Sequence, residues 1–117
     1  MAYVDGFVIP VPKDKLEDYK KMAEVGRDVW MSHGALSYCE AIGDDVPMGE
    51  LTSFPRAVQA TEDEVIIFSW VVYESRAARD EIMGKVMADE RMTGAIANMP
   101  FDGKRMIFGG FTPFIQV

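Results

Sequence analysis

The chain has a single cysteine, Cys39, and a single histidine, His33, in 117 residues. One thiol rules out an internal disulfide and any zinc site built on paired cysteines. One imidazole means that any histidine chemistry must pass through His33. Basic residues are in deficit too: 12 Lys+Arg face 19 Asp+Glu, a net charge of −7. A surface of that sign repels phosphate backbones, so no nucleic-acid partner is expected. No apolar run approaches the roughly 20 residues that span a bilayer, so no membrane partner is expected either. The N-terminal Met-Ala-Tyr-Val-Asp-Gly has no basic segment leading into an apolar one. That argues against a signal peptide and for a cytoplasmic protein. Walker A, Gly-x-Gly-x-x-Gly and Gly-x-Ser-x-Gly sequences are missing, so neither a nucleotide cofactor nor a hydrolase nucleophile has support. Asp44, Asp45 and Glu50 lack the alternation of a calcium loop, so no metal is expected.

What is present is apolar residue: 49% of the chain, including nine Met. That fraction at this length fits one folded domain over residues 1–117. Tyr3 to Ile9 is β-branched and aromatic and reads as a strand stopped by Pro10-Val11-Pro12. Asp14 and Glu17 have capping-box spacing. Leu16, Tyr19, Ala23, Gly26, Trp30 and His33 then form one helical stripe, with Glu17, Lys20, Lys21, Glu24 and Asp28 outside it. Gly34 is placed to end that helix in a left-handed turn. Ala35 to Ile42 is extended, and residues 43–55 are a polar, turn-rich loop. Glu64 to Tyr73 is the strongest strand. Ser75 caps a second helix whose apolar face is Ala78, Ile82 and Val86. Arg91 to Pro100 reads as short and irregular, or as another helical turn. Lys104 to Ile115 reads as a last strand, with a bulge or close approach at Gly109-Gly110.

The order β-α-β-β-α-β gives an α+β, ferredoxin-like fold: a four-stranded antiparallel sheet with two helices on one face. The strand Val65–Val72 is apolar on both of its faces. Two helices cover only one, whereas a sheet with a wet second face alternates with polar residues. A second copy packed sheet to sheet in a homodimer answers the mismatch, with the loop of residues 43–55 folding back as the alternative.

Five segments carry a resemblance: Tyr3-Val4-Asp5-Gly6-Phe7-Val8, His33-Gly34-Ala35-Leu36, Gly43-Asp44-Asp45-Val46-Pro47, Phe68-Ser69-Trp70 and Met99-Pro100-Phe101-Asp102-Gly103-Lys104-Arg105-Met106-Ile107. With them the chain resembles the YbaA-like family of small bacterial proteins, a domain of unknown function. The resemblance implies the dimeric α/β-barrel superfamily. There, ferredoxin-like subunits pair their sheets, and members include cofactor-free monooxygenases, haem-degrading enzymes, isomerases and non-catalytic binders.

Candidate site residues follow from the residue types. His33 is placed for acid–base work or haem ligation, against the plainer reading of a helix-end residue. Tyr19, Trp30 and Trp70 offer aromatic walls for a small apolar or aromatic ligand between helix and sheet, or simply core. His33, Tyr38 or Arg105 offers the polar group that would steady a substrate anion in cofactor-independent oxygenation. Arg105 can clamp a carboxylate bidentately, or serve only the Asp102-Gly103 turn. Cys39 reads as a buried small residue. The functional expectation is a homodimer with a helix–sheet pocket, acting as a cofactor-independent oxygenase or isomerase. The alternative is a non-catalytic ligand-binding or stress-associated protein.

Overall fold

A computed structural model describes residues 2–117. Strand β1 spans Tyr3–Pro12, and a 3-10 turn at Lys13–Lys15 leads into α1, Leu16–Ser32. There follow β2 (Ser37–Ile42), the single turn α2 (Phe54–Ala57), β3 (Glu64–Tyr73), α3 (Arg76–Ala88), α4 (Glu90–Ala97) and β4 (Ile107–Phe111). The four strands form one antiparallel sheet in the order β2-β3-β1-β4. The helices α1, α3 and α4 pack on one face of it through Val29, Trp30, Ile82, Val86 and Met92. This is the ferredoxin-like α+β arrangement.

Parity decides which side each strand residue serves. On β3 the odd-numbered Ile67, Val71 and Tyr73 point under the helices and are fully buried. Burying a side chain of that size contributes about 1.5–3 kcal/mol. The even-numbered Phe68, Trp70 and Val72 point to the opposite face. There they meet Val8, Gly6 and Val4 of β1 across the ladder. On β4, Ile107 and Phe111 join the same face opposite Val8 and Val4. One end of this face is covered: Val58, just after α2, seals Val8 and Ile66. The remainder is open, with Phe68 42% and Phe111 64% exposed. The loop thus covers one corner and leaves the centre bare.

Several sequence expectations need correcting. β1 runs through its prolines to Pro12, because pairing with β4 stops at Val8 and an absent N–H beyond it costs no ladder bond on that side. Asp14 lies inside the 3-10 turn and caps nothing; α1 starts after Lys15 without a side-chain cap. Residues 90–97 form the regular helix α4, held by the Asp89 side chain accepting from the Arg91 N–H. The last strand is only Ile107–Phe111, and its register runs through Gly109-Gly110 without a bulge. Close approach is the reason for glycine there: a Cβ at Gly110 would fall on the Tyr3 hydroxyl and the Arg79 guanidinium. Gly34 does adopt positive φ (113°) just beyond α1, and Ser75 accepts from the Ala78 N–H to open α3.

Candidate functional site

Two hollows flank the sheet. The first is a cleft of about 320 Å³ between α1 and the edge strand β2, walled by Leu16, Tyr19, Ala23, Tyr38, Ile42 and Ile67. Glu40 lies in it too. The inward parity of β2 puts Tyr38, Glu40 and Ile42 on the helix side and Cys39 and Ala41 on the other. Tyr19 comes from the buried stripe of α1. Its hydroxyl donates to Glu40 Oε1 at 2.7 Å, and the Tyr38 hydroxyl donates to Glu40 Oε2 at 2.7 Å. Both phenols are raised above the ordinary tyrosine range, first by burial and then by the Glu40 charge beside them. They therefore stay protonated and act as donors. Gly26 makes room for this cluster: a Cβ there would sit 2.7 Å from the Tyr38 hydroxyl.

Among the described residues Glu40 has no cationic partner. The basic residues at the rim are engaged elsewhere: Lys20 lies 3.6 Å from Glu17, and Arg27 Nε lies 3.0 Å from Asp28. A carboxylate offers about four lone-pair positions, and the two phenols occupy two. The cleft therefore combines apolar walls with a half-buried acceptor that still has capacity, beside the exposed Glu24.

The second hollow, about 770 Å³, lies on the open face of the sheet between Phe68, Trp70, Phe111 and the C-terminal Phe114 and Ile115. Phe54, Phe68 and Trp70 stack edge to face along it, with ring centroids 5.8 and 5.7 Å apart. Among the described residues, no charged one lines it.

Residues 2–103 match the family described as "Protein of unknown function (DUF1428)". The chain belongs to the DUF1428 family. It is 47% identical over 116 residues to the "Uncharacterized protein YbaA" of Escherichia coli strain K12, with 99% of each chain covered. The YbaA of Shigella flexneri matches to the same extent. Among solved structures the DUF1428 chain is similar in fold to a NIPSNAP family protein from Agrobacterium tumefaciens (TM-score 0.64, 17% identity, 97% and 93% covered). It is also similar to Rv0793 from Mycobacterium tuberculosis (TM-score 0.63, 14% identity, 99% and 98% covered). A third likeness is a protein described as a dimeric ferredoxin-like protein from an uncultured marine organism (TM-score 0.63, 9% identity, 99% and 98% covered).

The six residues singled out from the DUF1428 sequence separate in space. Tyr19 and Tyr38 meet on Glu40. Trp30 stands behind Tyr38, ring centroids 5.9 Å apart, but is core: its Nε1 donates to the Tyr73 hydroxyl at 3.0 Å. Trp70 is not between helix and sheet. Its even parity on β3 puts it on the open face, which corrects the expectation of a shared aromatic pocket.

His33 ends α1 with its Nε2 2.8 Å from Asp89 Oδ2, outside both hollows. Asp89 also accepts from Arg91, whose guanidinium, with the His33 bond, holds the carboxyl well below its ordinary range. Arg105 is occupied: it takes Glu64 bidentately at 2.7 and 2.6 Å, and its Nε reaches Asp102 at 3.0 Å. Its guanidinium closes a turn on the end of β3 and lies outside both hollows.

Glu40 escaped the sequence reading, which used it only as the neighbour of Cys39. The signal was there: on an edge strand, an acid two residues after a tyrosine shares its face.

Proposed function

We propose that the protein is a homodimer, paired through the open face of its sheet, that holds a small apolar or aromatic molecule in the cleft between α1 and β2. The observation that carries the ligand reading is the cleft itself, with apolar walls around a half-buried carboxylate, Glu40, fixed by two phenols. Its volume suits a molecule of about one ring, since small-ligand pockets begin near roughly 300 Å³. The pairing is supported by the uncharged stretch from Phe68 and Trp70 to Phe111, too apolar to leave in water. The dimeric ferredoxin-like relative supports the same view.

Light scattering at micromolar concentration tests the assembly. A dimer is expected for the native chain and a monomer for Trp70→Glu; a native monomer overturns the pairing. Thermal-shift titration with a panel of phenols, quinols and unsaturated lactones tests the ligand. Stabilisation is expected and should vanish in Ala23→Trp, which fills the cleft. A flat response across the panel speaks against the reading.

A second reading adds turnover: cofactor-independent oxygenation or isomerisation of the bound molecule. The two phenolic donors and the carboxylate converging on one cleft favour it, because they could take and return a proton. Oxygen uptake and ultraviolet spectra over the same panel test it. Binding without either change leaves the non-catalytic or stress-associated role.

A further inference from the structure

Two carboxylates line the cleft: Glu24, exposed on α1, and the half-buried Glu40, with which no cation pairs among the described residues. Half-buried carboxylates are ordinarily paired with a guanidinium or ammonium, as Asp5 is with Arg79 Nε at 3.1 Å and Glu64 with Arg105. Glu40 instead accepts from two neutral hydroxyls. Those bonds fix its position without neutralising it, and burial raises both phenols so that they remain neutral donors. Lys20 and Arg27 line the same cleft, but their ion pairs are with Glu17 and Asp28. Around Glu40 the walls are Leu16, Ala23, Ile42 and Ile67 together with the tyrosine rings. A positive charge brought there would find a fixed counter-ion, reduced solvent screening and aromatic surface.

We propose that the cleft selects ligands carrying a protonated amine on a small apolar or aromatic body, with Glu40 binding the ammonium group and Tyr19 and Tyr38 positioning Glu40. This rests on the cleft being a ligand site, and adds which head group it prefers. An anion is disfavoured by the same carboxylate. A neutral ligand gains the apolar contact but leaves the charge unanswered. An ammonium gains both, because a hydrogen bond to a charged acceptor is worth about twice a neutral one.

Titration of benzylamine against benzyl alcohol, followed by calorimetry and by amide shifts of residues 16–27 and 38–42, tests this. Benzylamine should bind the native dimer about ten-fold more tightly or better. In Glu40→Gln the two should bind alike, with the alcohol unaffected. Tyr38→Phe, which keeps the carboxylate and removes one of its two positioning bonds, should keep a preference for the amine, smaller than the native one. Equal affinities in the native protein overturn the proposal while leaving the cleft as a ligand site. So does an amine preference that survives Glu40→Gln. If neither compound shifts the cleft amides, the ligand site itself falls, and this proposal with it. Should Glu40→Gln not fold, the native comparison and Tyr38→Phe decide: lost preference in Tyr38→Phe also counts against Glu40.

Discussion

Two carboxylates sit beneath the helices, each receiving a tyrosine hydroxyl, and they differ in one partner. Asp5 on β1 accepts from Tyr73 at 2.9 Å and from Arg79 Nε at 3.1 Å; Tyr73 in turn receives the Trp30 N–H. The guanidinium also lies 5.0 Å over the Tyr3 ring. That cluster ties β1, β3, α1 and α3 together and is only 6% exposed at Asp5. Glu40 on β2 has two phenols and no cation, and it opens on a cleft. The first carboxylate is finished by the fold. The second is held in place by the fold and left with charge to share, which is how a structural buried acid differs from a recognition group.

Removing the first carboxylate should have the largest effect. Asp5→Ala strands the Arg79 guanidinium and the Tyr73 hydroxyl, and should cost about 3–5 kcal/mol in urea denaturation. A loss below about 1 kcal/mol would erase the distinction between the two sites. Arg79→Met brings the first site close to the makeup of the second, a carboxylate with a phenolic donor, Tyr73, and no cation. Its cost should approach that of Asp5→Ala, because Asp5 is sealed from water where Glu40 is not.

Glu40→Gln should cost only about 1 kcal/mol, since an amide oxygen still accepts from a phenol. Gly26→Ala sharpens the comparison further. The helix gains about 1 kcal/mol from alanine, while the new Cβ displaces the Tyr38 hydroxyl. Little net change in melting temperature is expected, with a clear change in tyrosine ultraviolet fine structure.

The smallest effect concerns acid. Asp89 and Glu64 are held below the ordinary carboxylate range, each chiefly by hydrogen bonds from an arginine, Arg91 and Arg105. A lowered folded value means that their stabilisation is present above about pH 4 and is lost as pH falls through the folded values. Melting temperature should decline on acidification below that point. Asp89→Asn should flatten the decline without altering the cleft.

Much of the fold was legible because it rests on local patterns. The stripe of α1, the alternation of β3, the Ser75 cap and the Gly34 turn depend on neighbours a few residues away. The two-faced apolar β3 correctly pointed to a bare sheet face. Cap and strand ends were less legible, since Asp14, Pro10 and Pro12 were settled by the 3-10 turn and by where β4 stops pairing.

The site was only half legible. Tyr19 could be picked out as an aromatic residue on a buried stripe and Tyr38 as a polar group for a bound anion, but their meeting on Glu40 joins α1 to β2. His33 and Arg105 looked free because Asp89 and Glu64, which occupy them, lie 56 and 41 residues away.

The sequence by itself determined the order of the four strands and two main helices, the two faces of β3 and the surplus of apolar surface, because periodicity fixes which residues share a face. Only the tertiary structure decided which charges are answered. The deciding ion pairs, His33–Asp89, Arg79–Asp5 and Arg105–Glu64, join residues far apart in the chain, so whether an Arg, His or Glu is spent or available depends on what the fold brings to within about 3 Å of it. By that measure Arg105 and His33 are spent, and Glu40 is available.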